Sequence, residues 1–235
     1  MVCTFVPINS SIPEMNLYCK HPELLTDKRI RVGVASWTTD RPQARLVEIM
    51  GSVEDIVTES NAILHENDAI TKQFTAKALA CLPSEDWDIP QEEVFKRADF
   101  TDYPIASVDP PGCKDIDDAL HARVLENGNI EVGVHIADVT YFLKAGSALD
   151  KEAAKRSNTV YLVERRTDML PKILTEKLCS LVGGVRRFAF SVLWEMKPDT
   201  FEIVDTSFTK SIIKSKAAMS YSMAWDMIQS DDNSL

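Results

Sequence analysis

Ten consecutive residues, Asp109-Pro110-Pro111-Gly112-Cys113-Lys114-Asp115-Ile116-Asp117-Asp118, constrain this chain more than any other stretch. They set four carboxylates between two apolar runs, 105–108 and 119–124, and punctuate them with two prolines and a glycine. A backbone that reaches Asp109 as a strand must therefore turn before Asp115, which brings Asp109 back toward the triplet. If residues 115–117 run extended, side chains two apart share a face, with α-carbons about 6–7 Å apart. Carboxylates at that spacing can bracket the pair of cations that two-metal sites hold about 3.5–4 Å apart.

The cluster admits two readings. Like charges about 4 Å apart repel by roughly 1 kcal/mol in water but by about 4 kcal/mol at the effective dielectric of a protein surface. A solvated acidic loop tolerates that cost; a loop pinned between hydrophobic strands calls for protonation or a cation. The donors are oxygens, which favours a hard ion, Mg²⁺ or Mn²⁺, since the nearby thiol is the lone Cys113 and the nearest imidazole is His121. The EF-hand calcium pattern fails because its turn glycine is missing. The D-x-D-D string of terpene cyclases sits on all-helical folds, whereas the flanks here read as strand. Glycine-rich phosphate cradles are absent.

The remaining composition narrows the setting. The chain has 235 residues, 45% of them hydrophobic, enough for one large or two small domains with a real core. Five cysteines, odd in number and without a C-x-x-C pair, suit a reducing compartment and give no disulfide-linked partner. No signal segment or spanning run is legible, so neither secretion nor membrane insertion is expected. The formal net charge is −10, unfavourable for general nucleic-acid affinity, which comes from Lys and Arg. The distribution is uneven: 48–102 is acidic, while Lys155, Arg156, Arg165, Arg166, Lys172, Lys177, Arg186, Arg187, Lys210, Lys214 and Lys216 crowd the second half. A basic half beside an acidic loop fits an RNA path toward cations, and it equally fits solvated surface charge.

Periodicity supplies the elements. Residues 29–34, 44–50 and 52–57 read as short strands of a small barrel, with Trp37 in its core. Residues 67–82 read as a helix carrying Ile70, Phe74 and Ala78 on one face. The acidic, proline-containing stretch 84–102 reads as a linker, which sets domains at 1–83 and 103–235. Asn127-Gly128 predicts a hairpin between 119–124 and 130–139, and His121 and His135 on its strands are expected to be packed or hydrogen-bonded rather than ligands. Ser147 with Asp150 caps a helix through 157, and 159–163 is a strand with Tyr161. Pro171 opens a further helix. Strands at 187–196 and 201–213 flank the turn 197–200, and a last helix over 216–228 carries Tyr221.

The acidic loop does not stand alone. Asp115 to Leu120, His135-Ile136-Ala137-Asp138, Thr159-Val160-Tyr161-Leu162, Asp168-Met169-Leu170-Pro171 and Leu178-Cys179-Ser180-Leu181 come in an order and spacing that resemble the RNB-type exoribonucleases, the ribonuclease II family. The likeness is greatest to the subfamily that supplies the catalytic subunit of the eukaryotic RNA exosome. It implies an α+β chain: a small oligonucleotide-binding or cold-shock barrel, then the first part of an RNB catalytic domain with a mixed sheet and flanking helices. It further implies Mg²⁺-dependent 3′→5′ hydrolysis of single-stranded RNA to 5′-nucleotides. Asp117 takes the central catalytic role, Asp109, Asp115 and Asp118 serve with it as metal ligands or their supports, and Tyr161, Tyr221 and Arg156 contact RNA. Partners would be single-stranded RNA and the exosome ring, in the nucleus and cytoplasm. The chain departs from the family at Arg41-Pro42-Gln43-Ala44-Arg45, where Tyr-Pro-x-Gly-His is usual, and at Ser157, where Gly often stands. Because the family's catalytic domain runs longer and supplies a catalytic arginine further on, the alternative is a truncated, inactive RNA-binding or exosome-associated remnant.

Overall fold

The computed structural model describes residues 1–230 and divides the chain into two compact units, 1–72 with 160–167, and 73–159 with the residues from 168 on. The architecture is α+β. In the first unit, strands β1 (Val2–Phe5), β2 (Met15–Tyr18), β3 (Lys28–Ser36) and β4 (Gln43–Ser52) lie in the order β1-β2-β4-β3. Period-two alternation turns Met15 and Leu17 inward onto Ala44, with Phe5, Leu25, Ile30 and Val32 packed around them. Trp37, expected in this core, is instead 62% exposed, because it lies just past the last residue of β3.

A helix, α1 (Ile56–Glu66), begins inside the stretch 52–57 that the sequence reads as strand. Asp55 decides it: its carboxylate accepts from the Thr58 amide and hydroxyl, satisfying a donor that a helix start would leave orphaned. The helix expected over 67–82 is correspondingly short. Asn67 caps α1 by donating to the Ile63 carbonyl, and only α2 (Ala76–Leu79), capped by Thr75, remains.

The second unit continues with α3 (Gln91–Val94), β5 (Ala98–Phe100), β6 (Ala106–Asp109), β7 (Asp118–Val124), β8 (Ile130–Ala137) and α4 (Ala148–Arg156). The chain then forms the hairpin β9 (Val160–Tyr161) and β10 (Arg166–Thr167), which belongs to the first unit, and resumes with β11 (Arg186–Met196), β12 (Ile203–Lys214), β13 (Ala217–Ser220) and α5 (Tyr221–Ser230). Seven strands make one mixed sheet ordered β13-β6-β7-β8-β11-β12-β5, parallel at its two outer pairs. One face buries Ala119, Ala137, Ala189 and Ile213 with Phe142, Leu149, Leu174 and Leu181.

The stretch 84–102 lies inside this unit rather than between domains. Trp87 stands edge-on to Phe142 at 4.8 Å and to Phe188 at 5.6 Å, and β5 pairs with β12. Residues 217–220, expected to be helical, form an edge strand because β6 offers them a parallel partner. The hairpin at Asn127-Gly128, the cap at Ser147 and the element opened by Pro171 stand as expected, the last as a π-helical turn, Ile173–Leu178. Ser157, in place of glycine, sits at φ 66° and ψ −50°, and Asn158 N donates to the Arg156 carbonyl at 2.8 Å, a tight three-residue turn.

Candidate active site at the aspartate loop

Asp109 is the last residue of β6 and Asp118 the first of β7, so the loop between them begins and ends on neighbouring strands of the sheet. Pro111-Gly112 turns it: Cys113 N donates to the Pro110 carbonyl at 3.1 Å, and Gly112 takes φ 81°, which a side chain would resist. Past the turn the backbone has no regular structure of its own and is held from outside. Ile116 N donates to Ser180 Oγ at 3.0 Å, Ser180 Oγ donates to the Lys114 carbonyl at 2.7 Å, and Leu181 N donates to the Ile116 carbonyl at 2.9 Å. Ala137 N, at the end of β8, donates to the Asp117 carbonyl at 2.8 Å. Ile116 is buried as the anchor, and Asp117 and Asp118 are exposed on either side of the turn into β7.

Two thiols feel three of the loop carboxylates, Cys113 feeling Asp115 and Asp109 and Cys179 feeling Asp117. Burial raises the Cys113 thiol, and the charges of Asp115 and Asp109 push it the same way. Burial pushes the Cys179 thiol up to about 12, Arg187 opposing and Asp117 and Asp138 adding to the rise, so it stays a protonated packing residue. Asp109 Oδ2 is buried without a hydrogen-bond partner, a condition that an oxygen ligand to a cation would relieve. Among the described residues no three His, Cys, Asp or Glu side chains stand close enough together to hold a metal ion. The all-oxygen donor set and the orphaned Asp109 atom fit a hard divalent cation.

The other expected residues divide. Ser220 is the register partner of Asp109, so Tyr221, 60% exposed at the start of α5, comes directly at the edge of the loop. Tyr161 is carried by the hairpin of the first unit, opposite Arg166. Arg156, expected at the RNA, is instead buried in its own unit, ion-paired to Glu152 at 3.0 Å and stacked 3.9 Å over the Phe74 ring. His121 and His135 form a separate buried chain, with His121 Nδ1 and His135 Nε2 2.8 Å apart, His121 Nε2 3.1 Å from Glu131, and His135 Nδ1 2.6 Å from Ser191 Oγ.

The residues that carry the loop are not legible as such in the sequence. Ser180 belongs to a visible motif, but nothing in its type says that it holds a backbone. Asp138 is likewise structural: burial alone would raise its carboxyl, yet the Thr140 hydroxyl and the Arg97 guanidinium, 2.7 Å away, hold it below the ordinary range.

Fold and site together define a two-module α+β protein whose second module presents a carboxylate loop at a sheet end. The chain belongs to the RNB family: the RNB domain matches residues 97–235, and the Dis3-like cold-shock domain 2 matches residues 2–68. It is 51% identical over 221 residues to the exosome complex exonuclease RRP44 homolog A of Arabidopsis thaliana, covering 92% of this chain and 24% of the relative. It is 45% identical to human exosome complex exonuclease RRP44, covering 94% and 23% respectively. The chain thus spans about a quarter of the length of these curated relatives. Among solved structures, yeast Ssd1, a pseudonuclease, superposes with a TM-score of 0.81 at 24% identity, over 97% of this chain and 30% of that one. RNase R of Mycoplasma genitalium in complex with double-stranded RNA superposes at 0.79 and 21% identity, over 94% and 40%. Exonucleases of the RNB family are generally divalent-metal dependent. Among the described residues no helix is long and apolar enough to cross a membrane.

Proposed function

We propose that this chain is the cold-shock module and leading catalytic segment of a 3′→5′ hydrolytic exoribonuclease that releases 5′-nucleotides from single-stranded RNA. The observation that carries the reading is the loop itself: four aspartates on a backbone fixed at Lys114, Ile116 and Asp117, with one buried carboxylate oxygen left unpartnered. Asp109, Asp115, Asp117 and Asp118 are the residues that would hold Mg²⁺ or Mn²⁺. When bound, the ion supplies an activated water and positive charge at the scissile phosphate. Asp117, which is exposed, is assigned the central catalytic role. Tyr221 offers a stacking surface beside Asp109, and Tyr161 is assigned a second; stacking of about 1–3 kcal/mol per base is sequence-tolerant, as an unspecific exonuclease requires. The similarity to exosome complex exonucleases supports exosome association as the setting; single-stranded RNA and the exosome ring are the proposed partners, and the nucleus and cytoplasm the proposed location.

Degradation of 3′-tailed single-stranded RNA in Mg²⁺, compared with Asp117→Asn, tests this directly. Mg²⁺-dependent shortening that Asp117→Asn abolishes supports the enzyme. Equal background signals from the two proteins sink it. A second reading is an RNA-binding chain without catalysis, on a fold that the pseudonuclease Ssd1 also has. It expects salt-dependent retention of RNA with no shortening.

A further inference from the structure

We propose that Ser180 is the positioning residue of the aspartate loop, its hydroxyl fixing the backbone on both sides of Asp115 so that the carboxylates meet a divalent cation in register. The inference rests on the proposed metal-binding role of the loop and adds a residue to it. Ser180 is fully buried, and its single hydroxyl does two things at once. It accepts from Ile116 N at 3.0 Å and donates to the Lys114 carbonyl at 2.7 Å, so it closes a bridge across Asp115. The next residue repeats the contact, Leu181 N donating to the Ile116 carbonyl at 2.9 Å.

The serine is itself held. Arg187 Nε donates to the Ser180 carbonyl at 3.0 Å, tying it to the start of β11. On the other side Cys179 N donates to the Leu174 carbonyl at 2.9 Å, the wide bond that ends the π-helical turn. Such turns insert an extra residue and re-aim the chain beyond them; the residue re-aimed here is Ser180, placed against the loop backbone. The other backbone supports act elsewhere: the Pro110–Cys113 turn lies before Asp115, and the Ala137 amide reaches Asp117. Carboxylate ligands must be placed within about 0.5 Å, and groups that orient them from behind typically set 10–100-fold in metal affinity. A hydroxyl that both donates and accepts is required, since alanine would leave Ile116 N and Lys114 O without this partner and threonine would restore both.

The test uses the whole chain with Mn²⁺ as the probe. Paramagnetic broadening of the backbone amides of residues 115–118 reports binding at the loop, and amide exchange at Ile116 reports the clamp. Ser180→Ala is expected to raise the Mn²⁺ concentration for half-broadening by about 10–100-fold and to speed Ile116 exchange. Leu149→Ala, a buried packing change on α4, should lower the melting temperature while leaving the half-broadening point where it is. Ser180→Thr should restore both readings. The proposal is overturned if Ser180→Ala binds Mn²⁺ like the parent, or if Leu149→Ala weakens Mn²⁺ as much as Ser180→Ala does. Should Ser180→Ala fail to fold, fast Ile116 exchange in the parent, or parent-unlike Mn²⁺ binding by folded Ser180→Thr, overturns it as well. Parent protein that shows no broadening at the loop defeats the proposed function instead, a result separate from any effect of the serine.

Discussion

Two polar clusters lie on the same sheet and are built on opposite principles. The aspartate loop is charged, largely open to solvent, and owes its shape to hydrogen bonds lent by Ser180, Leu181 and Ala137. The histidine chain is buried and satisfies itself. Glu131, held ionised by Arg123 at 2.6 Å despite burial, can only accept, so His121 Nε2 must donate to it. His121 Nδ1 then accepts from His135 Nε2 and His135 Nδ1 accepts from Ser191, whose hydroxyl stands 2.6 Å from that of Ser211, itself 3.3 Å from the Ala189 carbonyl. One carboxylate thereby fixes the direction of the protons from Glu131 to Ser191, and both imidazoles are neutral. The contrast separates use from support: a cluster with every donor matched has nothing left to offer a ligand, whereas the loop keeps an unmatched buried oxygen at Asp109.

The most severe way to break the comparison is Asp117→Asn. The proposed function expects Mg²⁺-dependent shortening of 3′-tailed RNA to fall by about 10²-fold or more, with unfolding little changed because Asp117 is exposed. Glu131→Gln should do the reverse, weakening the fold while leaving any RNA shortening near the parent rate. Parallel losses of rate in both variants would erase the distinction between the clusters.

Acid should strike the histidine chain. Burial, joined by the charge of His121, lowers His135 from 6.5 to about 4, and burial lowers His121 as well. The folded pKa lies below the unfolded one, so between those values the unfolded chain binds the extra proton. Stability is therefore complete above about pH 6.5 and is lost as pH falls toward 4, by on the order of 3 kcal/mol for His135. Urea unfolding followed by tryptophan fluorescence at pH 7, 5 and 4 measures it, and a flat response from 7 to 5 would contradict the buried neutral pair.

A steric probe is milder. A β-carbon added at Gly133 would stand 2.1 Å from His121 Cε1, since the two residues are directly opposed across β7 and β8. Gly133→Ala should push the imidazole away from His135 and cost about 2 kcal/mol in urea unfolding. Unchanged stability would mean that the ring has room the structure does not show.

Legibility in the sequence divides along the same line. Local signals held: Asn127-Gly128 gave the β7–β8 turn, Ser147 the start of α4, and the polar turn 197–200 the β11–β12 hairpin. Signals that depend on distant partners did not. Trp37, expected in the barrel core, is exposed, while Trp87, within the stretch expected to be a linker, packs against the core, because which tryptophan is covered depends on rings contributed by Phe142 and Phe188 far along the chain. Residues 217–220 have a helical pattern, yet they pair with β6. At the site, aspartates announce themselves by charge, while Ser180 acts through backbone atoms that no side-chain pattern encodes. The Asp55 cap is a local signal that competes with a strand-like pattern over 52–57 and wins, since Thr58 and Glu59 stand after it at the spacing of a helix start.

The smallest effect sharpens the comparison by its sign. Asp118 begins β7 at the end of a loop that carries three other carboxylates in sequence and is exposed, so in the absence of divalent cations its charge adds repulsion without a buried partner to offset it. Asp118→Asn should then raise the melting temperature by about 1 °C, opposite to every substitution in the histidine chain. The gain should vanish near 1 M salt, where the screening length is about 3 Å and shorter than the spacing of the charges. Millimolar Mg²⁺ should invert it, because the ion would stabilise the parent loop more than the neutralised one. Melting curves of the two proteins in chelator, in high salt and in Mg²⁺ give the three signs, and an Mg²⁺ response identical in both would take Asp118 out of the ligand set.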